Sequence, residues 1–406
     1  MLVFLRTNAP WLGAGVLLTF SSSYGQTFFI SIFANQIKET FGLSDGQWGL
    51  IYTLGTTASA VVMIWAGILT DRFRVRTLAM FVLPLLALSC LFMAINPVVW
   101  LLPAVIFLQR FAGQGMASHI ASVAMARWFV VTRGKALSIA TLGYSIGEAL
   151  LPMFFVAMLA FIDWRFLWLL AALLALLALP PILAMLRAER TPQSTANDRQ
   201  TTGMENRHWT RPQALRHWLF WMLIPILLGP STFGTAFLFQ QVHFAEIKGW
   251  SHVSFVALFP IFTSVGILSM IASGIAIDRF GTTRLMPAIQ LPMALGFFVL
   301  AYVDTLTGAA VGMALLGMTT GMNSTVTAAF WAETYGTKHL GAIKALAAAV
   351  MVLGSAIGPG LSGVFIDLGL TFDRQLPGFS VFFVVASITT YFSLRWAAPL
   401  RVNANA

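Results

Sequence analysis

The chain has 406 residues, 58% of them hydrophobic and only 9% charged, with 34 Phe, 13 Trp and a net charge of +10. A soluble globular protein carries roughly a quarter charged residues, and apolar runs of about 18 residues or more recur along this chain, so an ordinary soluble domain is excluded and a polytopic membrane protein is indicated. The lone cysteine, Cys90, excludes an intramolecular disulfide.

A spanning helix needs about 20 residues. Twelve such segments fit, at about 11–37, 47–69, 77–95, 98–126, 135–161, 164–187, 216–242, 253–276, 283–303, 306–331, 342–366 and 379–400. Residues 1–20 lack a small-residue cleavage site after a short apolar core, so they read as the start of the first helix rather than a removed signal peptide. Residues 188–215 are polar and read as a nearly structureless cytoplasmic linker, with room for a short surface helix near 209–217. Of the 24 Lys and Arg, Lys38, Arg165, Lys248 and Arg374 fall on one side and Arg110 falls inside a span; the other 19 lie in the termini and loops of the opposite side. The positive-inside rule then places both termini in the cytoplasm. Charge so distributed marks a membrane orientation, not a nucleic-acid partner.

In the first segment Tyr24, Thr27, Ser31 and Asn35 fall at helical spacing on one face. Gly229, Thr232, Ala236, Gln240 and His243 do so in the seventh, and Ser31 aligns with Gln240. Polar groups are costly in lipid, so these faces are expected to turn toward a wet cavity between two halves. The alternative is that the small and polar residues only join helices.

The second segment ends in Gly67-Ile-Leu-Thr-Asp71-Arg72-Phe-Arg74-Val-Arg76, and the eighth in Gly274-Ile-Ala-Ile-Asp278-Arg279-Phe-Gly281-Thr-Thr-Arg284. The blocks 44–71 and 251–278 align without a gap, so the chain reads as an internal duplication.

Three ionisable side chains lie within spans: Arg110 and His119 in the fourth and Glu148 in the fifth. A charge at the bilayer centre costs about 2.5–3.5 kcal/mol on insertion scales, so such groups are functional candidates with a partner or water nearby. Arg110 and Gln114 share a helix face, as do Thr141, Ser145 and Glu148. Arg110 and Glu148 both fall near the midplane of adjacent antiparallel segments. Two readings stand: a permanent salt bridge that positions helices, or a proton site at Glu148 with Arg110 holding an anionic substrate. Burial makes a carboxylate keep its proton and a neighbouring arginine makes it release it. A substrate anion that draws the arginine away is then a coupling device. His119 reads as a packing group or a proton relay. Glu333 and Lys338, at the inner end of the tenth segment, read as latch charges or as ordinary flanking charges.

The loop pattern Gly67, Asp71, Arg72 and Arg76, with its copy at Gly274, Asp278, Arg279 and Arg284, resembles the signature of the major facilitator superfamily of secondary transporters. Arg74 stands where that family usually has Gly, and Arg284 lies one residue later than Arg76. The resemblance implies a glycine that lets two helices approach and an aspartate that latches one conformation. Arg110 with Gly113 and Gly115 resembles the fourth-helix motif linked there to proton transfer, one residue short of the common spacing. Asp163-Trp164-Arg165 resembles a structural turn of the family. Trp128-Phe129 with Arg133-Gly134-Lys135-Ala136, and Gly354 to Gly358-Pro359, look most like the monocarboxylate and oxalate–formate branch, which implies a small organic anion as substrate.

No ATP-binding Gly-x-x-x-x-Gly-Lys-Ser/Thr stretch or zinc-ligand motif occurs in the sequence. The expected protein is an all-α membrane protein of twelve transmembrane helices in two pseudo-symmetric six-helix bundles, 1–187 and 216–406, joined by 188–215. It is expected to be no enzyme, to need no cofactor or metal, and to act as a monomer in the inner membrane. The expected activity is proton-coupled movement of a small organic anion by alternating access, one half rocking on the other. The alternative is proton-driven export of hydrophobic compounds. The expected substrate-binding residues are Arg110, Tyr24, Thr27, Ser31, Gln114, Gln240 and His243, and those for proton coupling Glu148, Arg110 and His119. The expected latch residues are Gly67, Asp71, Arg72, Arg76, Gly274, Asp278, Arg279 and Arg284.

Overall fold

The computed structural model describes residues 2–129, 132–187, 202–336 and 338–402. These are helical with no strand among them, as lipid demands of a backbone that must satisfy its own hydrogen bonds. The chain divides into two compact units, 1–198 and 199–406.

The first unit holds six helical spans. The first runs from Leu2–Ser22 through a 3-10 turn at Ser23–Gly25 and continues from Thr27–Ile30 to Ala34–Phe41. The others are Asp45–Ala66, Val75–Ile95, Leu102–Gln109 continued to Ser118–Trp128, Arg133–Met158, and Trp164–Leu177 with Leu179–Met185. Caps set their ends. Gly42, at φ 63°, closes the first span, and Ser44 and Gln47 form a capping box for the second. Asp163 caps the sixth through Arg165 N at 2.8 Å. Arg165 then donates from Nη1 to Ala94 O at 2.7 Å and Asn96 O at 3.0 Å, tying the loop to the last carbonyls of the third helix.

The second unit repeats the plan. Its seventh span runs in pieces from Trp218–Met222 to Gln241–Ile247, followed by Phe259–Phe280, Thr282–Ala288 with Leu291–Tyr302, Leu306–Tyr335, Leu340–Asp367 and Phe372–Trp396. Among the described residues nine helices are long and apolar enough to cross a membrane, and the bent first pair makes a tenth. The fourth and tenth spans fall short of that hydropathy. They carry Arg110, Gln109 and His119, and a run of Thr, Ser, Asn and Gly from Thr319 to Thr327, which cannot face lipid.

Small residues set the helix crossings, and they do so alike in both units. Gly143 of the fifth helix lies against the Val16 carbonyl and Thr19 of the first, and Gly147 against Ser23. Thr19 Oγ1 donates to Ala140 O at 2.5 Å across the same contact. In the second unit Gly354 and Gly358 of the eleventh helix lie against Thr232 of the seventh. The duplication read in the hairpins therefore extends to the packing.

Residues 203–216, which the sequence reads as the end of a structureless linker, fold onto the second unit. Trp209 is 2% exposed; its backbone N–H donates to Tyr335 O at 3.0 Å and its Nε1 to Met204 O at 3.1 Å. Met204 and Trp209 belong to the same apolar core as Phe220, Trp331 and Tyr335. Burial, the largest influence, lowers the pKa of His217, with Glu205 opposing and Arg207 adding to it. The neutral ring then accepts at Nδ1 from Leu219 N, 3.3 Å away. Residues 188–201, the rest of the expected linker, lie outside the described residues.

The close contact of Gly113 with the first helix supplies a stability prediction. A Cβ on Gly113 would lie 2.7 Å from Gly25 Cα and 2.9 Å from Ser22 O, both backbone atoms that cannot move aside. Gly113→Ala is expected to lower the melting temperature in detergent, the cost being about 1–3 kcal/mol of overpacking. Gly274→Ala, whose Cβ meets no atom within 4 Å, should leave it unchanged or raise it. Equal melting of both variants would contradict the close crossing of the first and fourth helices.

Candidate functional site

Two irregular stretches build the site in the first unit. At Gln26 the first helix departs to φ −90° and ψ 155°, and the two halves of the span bend by 48°. Phe29 N and Ile30 N both bond Gln26 O, which leaves the Gly25 carbonyl outside the helical ladder. In the fourth helix Arg110–Ala117 is a π segment, a wide turn found mostly at functional sites. It begins at the arginine.

These two features meet through the Gly25–Gly113 contact. Arg110, 1% exposed, donates from Nη1 to Gly25 O at 3.2 Å and to Thr27 Oγ1 at 3.3 Å. Thr27 Oγ1 lies 2.5 Å from Tyr52 Oη, and the guanidinium sits 5.3 Å from the centre of the Tyr52 ring, a cation–π distance. Nε and Nη2 of Arg110 are buried and have no hydrogen-bond partner among the described residues. On the fifth helix Tyr144 Oη donates to Glu148 Oε1 at 3.0 Å, one helical turn apart. Glu148 is 6% exposed. Tyr144 lies within electrostatic reach of both Glu148 and Arg110, and its ring meets Phe28 edge-on at 5.7 Å.

Arg110, Thr27 and Glu148 are thus drawn into one neighbourhood, with Tyr144 in electrostatic reach of both charges. Tyr52, Tyr144 and the Gly25 carbonyl join it unforeseen. The helical-face reading of the first segment needs correction: the break at Gln26 interrupts the spacing that put Tyr24 and Thr27 on one face. Tyr24, 1% exposed, packs edge-on against Phe29 at 5.3 Å, and Ser31 Oγ donates to Thr27 O at 2.7 Å. Gln114 lies half-buried in the π segment. His119 faces the second helix, its Nε2 3.5 Å from where a Cβ on Gly67 would stand.

In the second unit Gln240 is 2% exposed and donates from Nε2 to Ser362 Oγ at 3.3 Å. His243 is half-buried in the short helix that follows. The rings of Phe233, Phe297, Phe379 and Phe383 pack on one another, with Phe233 and Phe379 at 4.4 Å.

The Asp71 side chain lies outside the described residues, while Arg72 and Arg76 are exposed. Arg127 Nη1 reaches the hairpin and donates to Thr70 O at 2.9 Å. In the copy, Asp278, Arg279 and Arg284 are exposed, and Gly274 makes no close helix approach. There the C-terminal end of the tenth helix is held by Thr282 Oγ1 donating to Glu333, next to Gly281 at φ 72°.

The profile of the Major Facilitator Superfamily matches residues 15–359 and, again, 267–402. The chain belongs to this superfamily. As a major facilitator protein it is a multi-pass membrane transporter, not an enzyme, and works by secondary transport with alternating access. No curated protein matches it in sequence. Its fold is similar to that of a bacterial homologue of the human lysosomal transporter Spinster in an inward-facing, unoccupied conformation. That match has 17% identity and a TM-score of 0.67, covering 98% of this chain and 96% of the other. The nucleoside transporter NupG is also similar, with 14% identity and a TM-score of 0.70 over 94% of this chain and 98% of the other.

Proposed function

We propose that this transporter moves a small organic anion bearing a carboxylate across the inner membrane, coupled to protons, with both termini cytoplasmic. The observation that carries the reading is the free edge of Arg110. Nη1 is held by Gly25 and Thr27, which leaves Nε and Nη2 side by side, buried and unsatisfied. That edge is the fork that a carboxylate meets with two parallel hydrogen bonds. A buried cation with open donors is costly, and a substrate anion offsets the cost.

Glu148, near Arg110 through Tyr144, is the proton site of this reading. When the substrate carboxylate takes the Arg110 edge, the arginine's field at Glu148 is shared and the proton affinity of Glu148 changes with occupancy. In this reading Gln114, Tyr24 and Ser31 of the first unit, and Gln240 and His243 of the second, are the remaining substrate-binding candidates, with His119 as a packing neighbour or relay. The two hairpins at Gly67, Asp71, Arg72 and Arg76 and at Gly274, Asp278, Arg279 and Arg284 latch alternate states.

Counterflow in proteoliposomes with a panel of labelled carboxylates, with and without a pH gradient, tests the proposal. Accumulation of at least one carboxylate, increased by the gradient, is expected. Transport of neutral compounds alone would exclude the anion reading, and gradient-independent accumulation would exclude proton coupling.

A further inference from the structure

A cavity of about 250 Å³ lies in the first unit among Leu69, Phe73, Phe81, Leu85, Phe111 and Met116. Its walls come from the 67–76 hairpin, the third helix and the π segment of the fourth. Phe81 is 70% exposed and Phe73 51%, so the cavity opens on the outer face of the unit, where a spanning helix meets hydrocarbon. No part of the established activity requires it.

The third helix gives this cavity a charged head. Arg74, Leu78, Phe81 and Leu85 follow spacings of four, three and four residues and share one face of Val75–Ile95 and its N-cap. The apolar stripe that lines the cavity therefore ends at Arg74. Arg72 and Arg76 flank it, and all three guanidinium-bearing residues are exposed. An apolar slot capped by three cations at the end of a span matches an amphiphile with an apolar tail and an anionic head.

We propose that this cavity holds one acyl chain of an anionic phospholipid, with its phosphate on Arg74 and between Arg72 and Arg76. The positive-inside rule puts the hairpin on the cytoplasmic side, where the anionic lipids of a membrane attract basic segments. A zwitterionic lipid brings its own cation to the same place, which offsets the attraction of its phosphate to the arginines. The proposal is independent of the substrate.

The test uses the full-length protein in detergent, titrated with phosphatidylglycerol or with phosphatidylcholine of identical acyl chains. Bound lipids are counted by native mass spectrometry. One phosphatidylglycerol is expected to bind about tenfold more tightly than phosphatidylcholine. Changing Arg72→Gln, Arg74→Gln and Arg76→Gln together should remove that preference. Leu85→Trp, which fills the cavity and keeps every arginine, should weaken both lipids. Phe81→Ala, which shortens an exposed ring, replaces it should that variant fail to fold. Equal affinity of the two lipids for the wild type overturns the proposal. So does wild-type phosphatidylglycerol affinity in either the arginine variant or the folded cavity variant.

Discussion

Arg110→Ala and Arg110→Lys are both expected to reduce carboxylate counterflow by roughly 30-fold or more, the loss of about 2 kcal/mol or more that follows from removing one side of a buried charged pair. Lysine keeps the charge but is a point donor that cannot present two parallel N–H groups. A substrate held only by attraction to a positive charge would tolerate it. Stability separates this reading from a structural one. If Arg110 is a strut, Arg110→Met should melt at a lower temperature, because its bonds to Gly25 and Thr27 hold the broken first helix against the fourth. If Arg110 is kept for substrate, its unsatisfied Nε and Nη2 are a standing cost. Replacing a buried charge by an apolar side chain of similar volume is often neutral or stabilising. The expected result for Arg110→Met is an equal or higher melting temperature with transport lost. Lower stability with residual transport would assign the residue to the scaffold instead.

What the sequence made readable follows from how locally each feature is determined. Helical spans depend on the composition of about twenty neighbouring residues, and the duplicated hairpin is written in order along the chain, so the architecture needed no tertiary knowledge. Arg110 and Glu148 were visible for a related reason: any charge at that depth is expensive wherever the helices go. The rest of the site depends on packing. No proline marks the break at Gln26; Ser21, Ser22, Ser23 and Gly25 permit a kink without requiring one, and the turn fits because Gly25 presses on Gly113, eighty-eight positions away in the chain. The Gly25 carbonyl was therefore invisible. The spacing puts Thr27 on a continuous helical face, whereas it reaches Arg110 from a helix that restarts at that residue. Tyr144 was in principle readable, one turn before Glu148 on the same face. Tyr52 was not, because its place depends on how the second helix crosses the first and fourth. Met204 and Trp209 did carry a signal: two large apolar side chains in an otherwise polar stretch imply a surface that covers them.

Glu148→Gln is expected to abolish pH-gradient-driven accumulation while exchange of substrate across the membrane stays within about twofold of wild type, because a steric and hydrogen-bonding match leaves binding energy nearly unchanged. The amide oxygen of glutamine still accepts from Tyr144 Oη, so the 3.0 Å bond and the fifth helix are preserved, and only the exchangeable proton is lost. Tyr144→Phe makes the complementary change. It keeps the carboxylate and its proton, and the ring contact with Phe28, but removes the hydroxyl that donates to Glu148. Gradient-driven accumulation should then fall only in part, with a shifted dependence on external pH, whereas Glu148→Gln should flatten that dependence altogether. The two profiles together decide the site. If Glu148→Gln accumulates substrate with an undiminished response to the gradient, the proton is carried elsewhere, and Arg110 alone would remain as an anion site. If instead both variants lose exchange as well as accumulation, the Tyr144–Glu148 bond is needed to shape the path rather than to move a proton. Glutamine keeps an acceptor for Tyr144 Oη while losing the proton, so the amide variant can isolate the proton from the geometry.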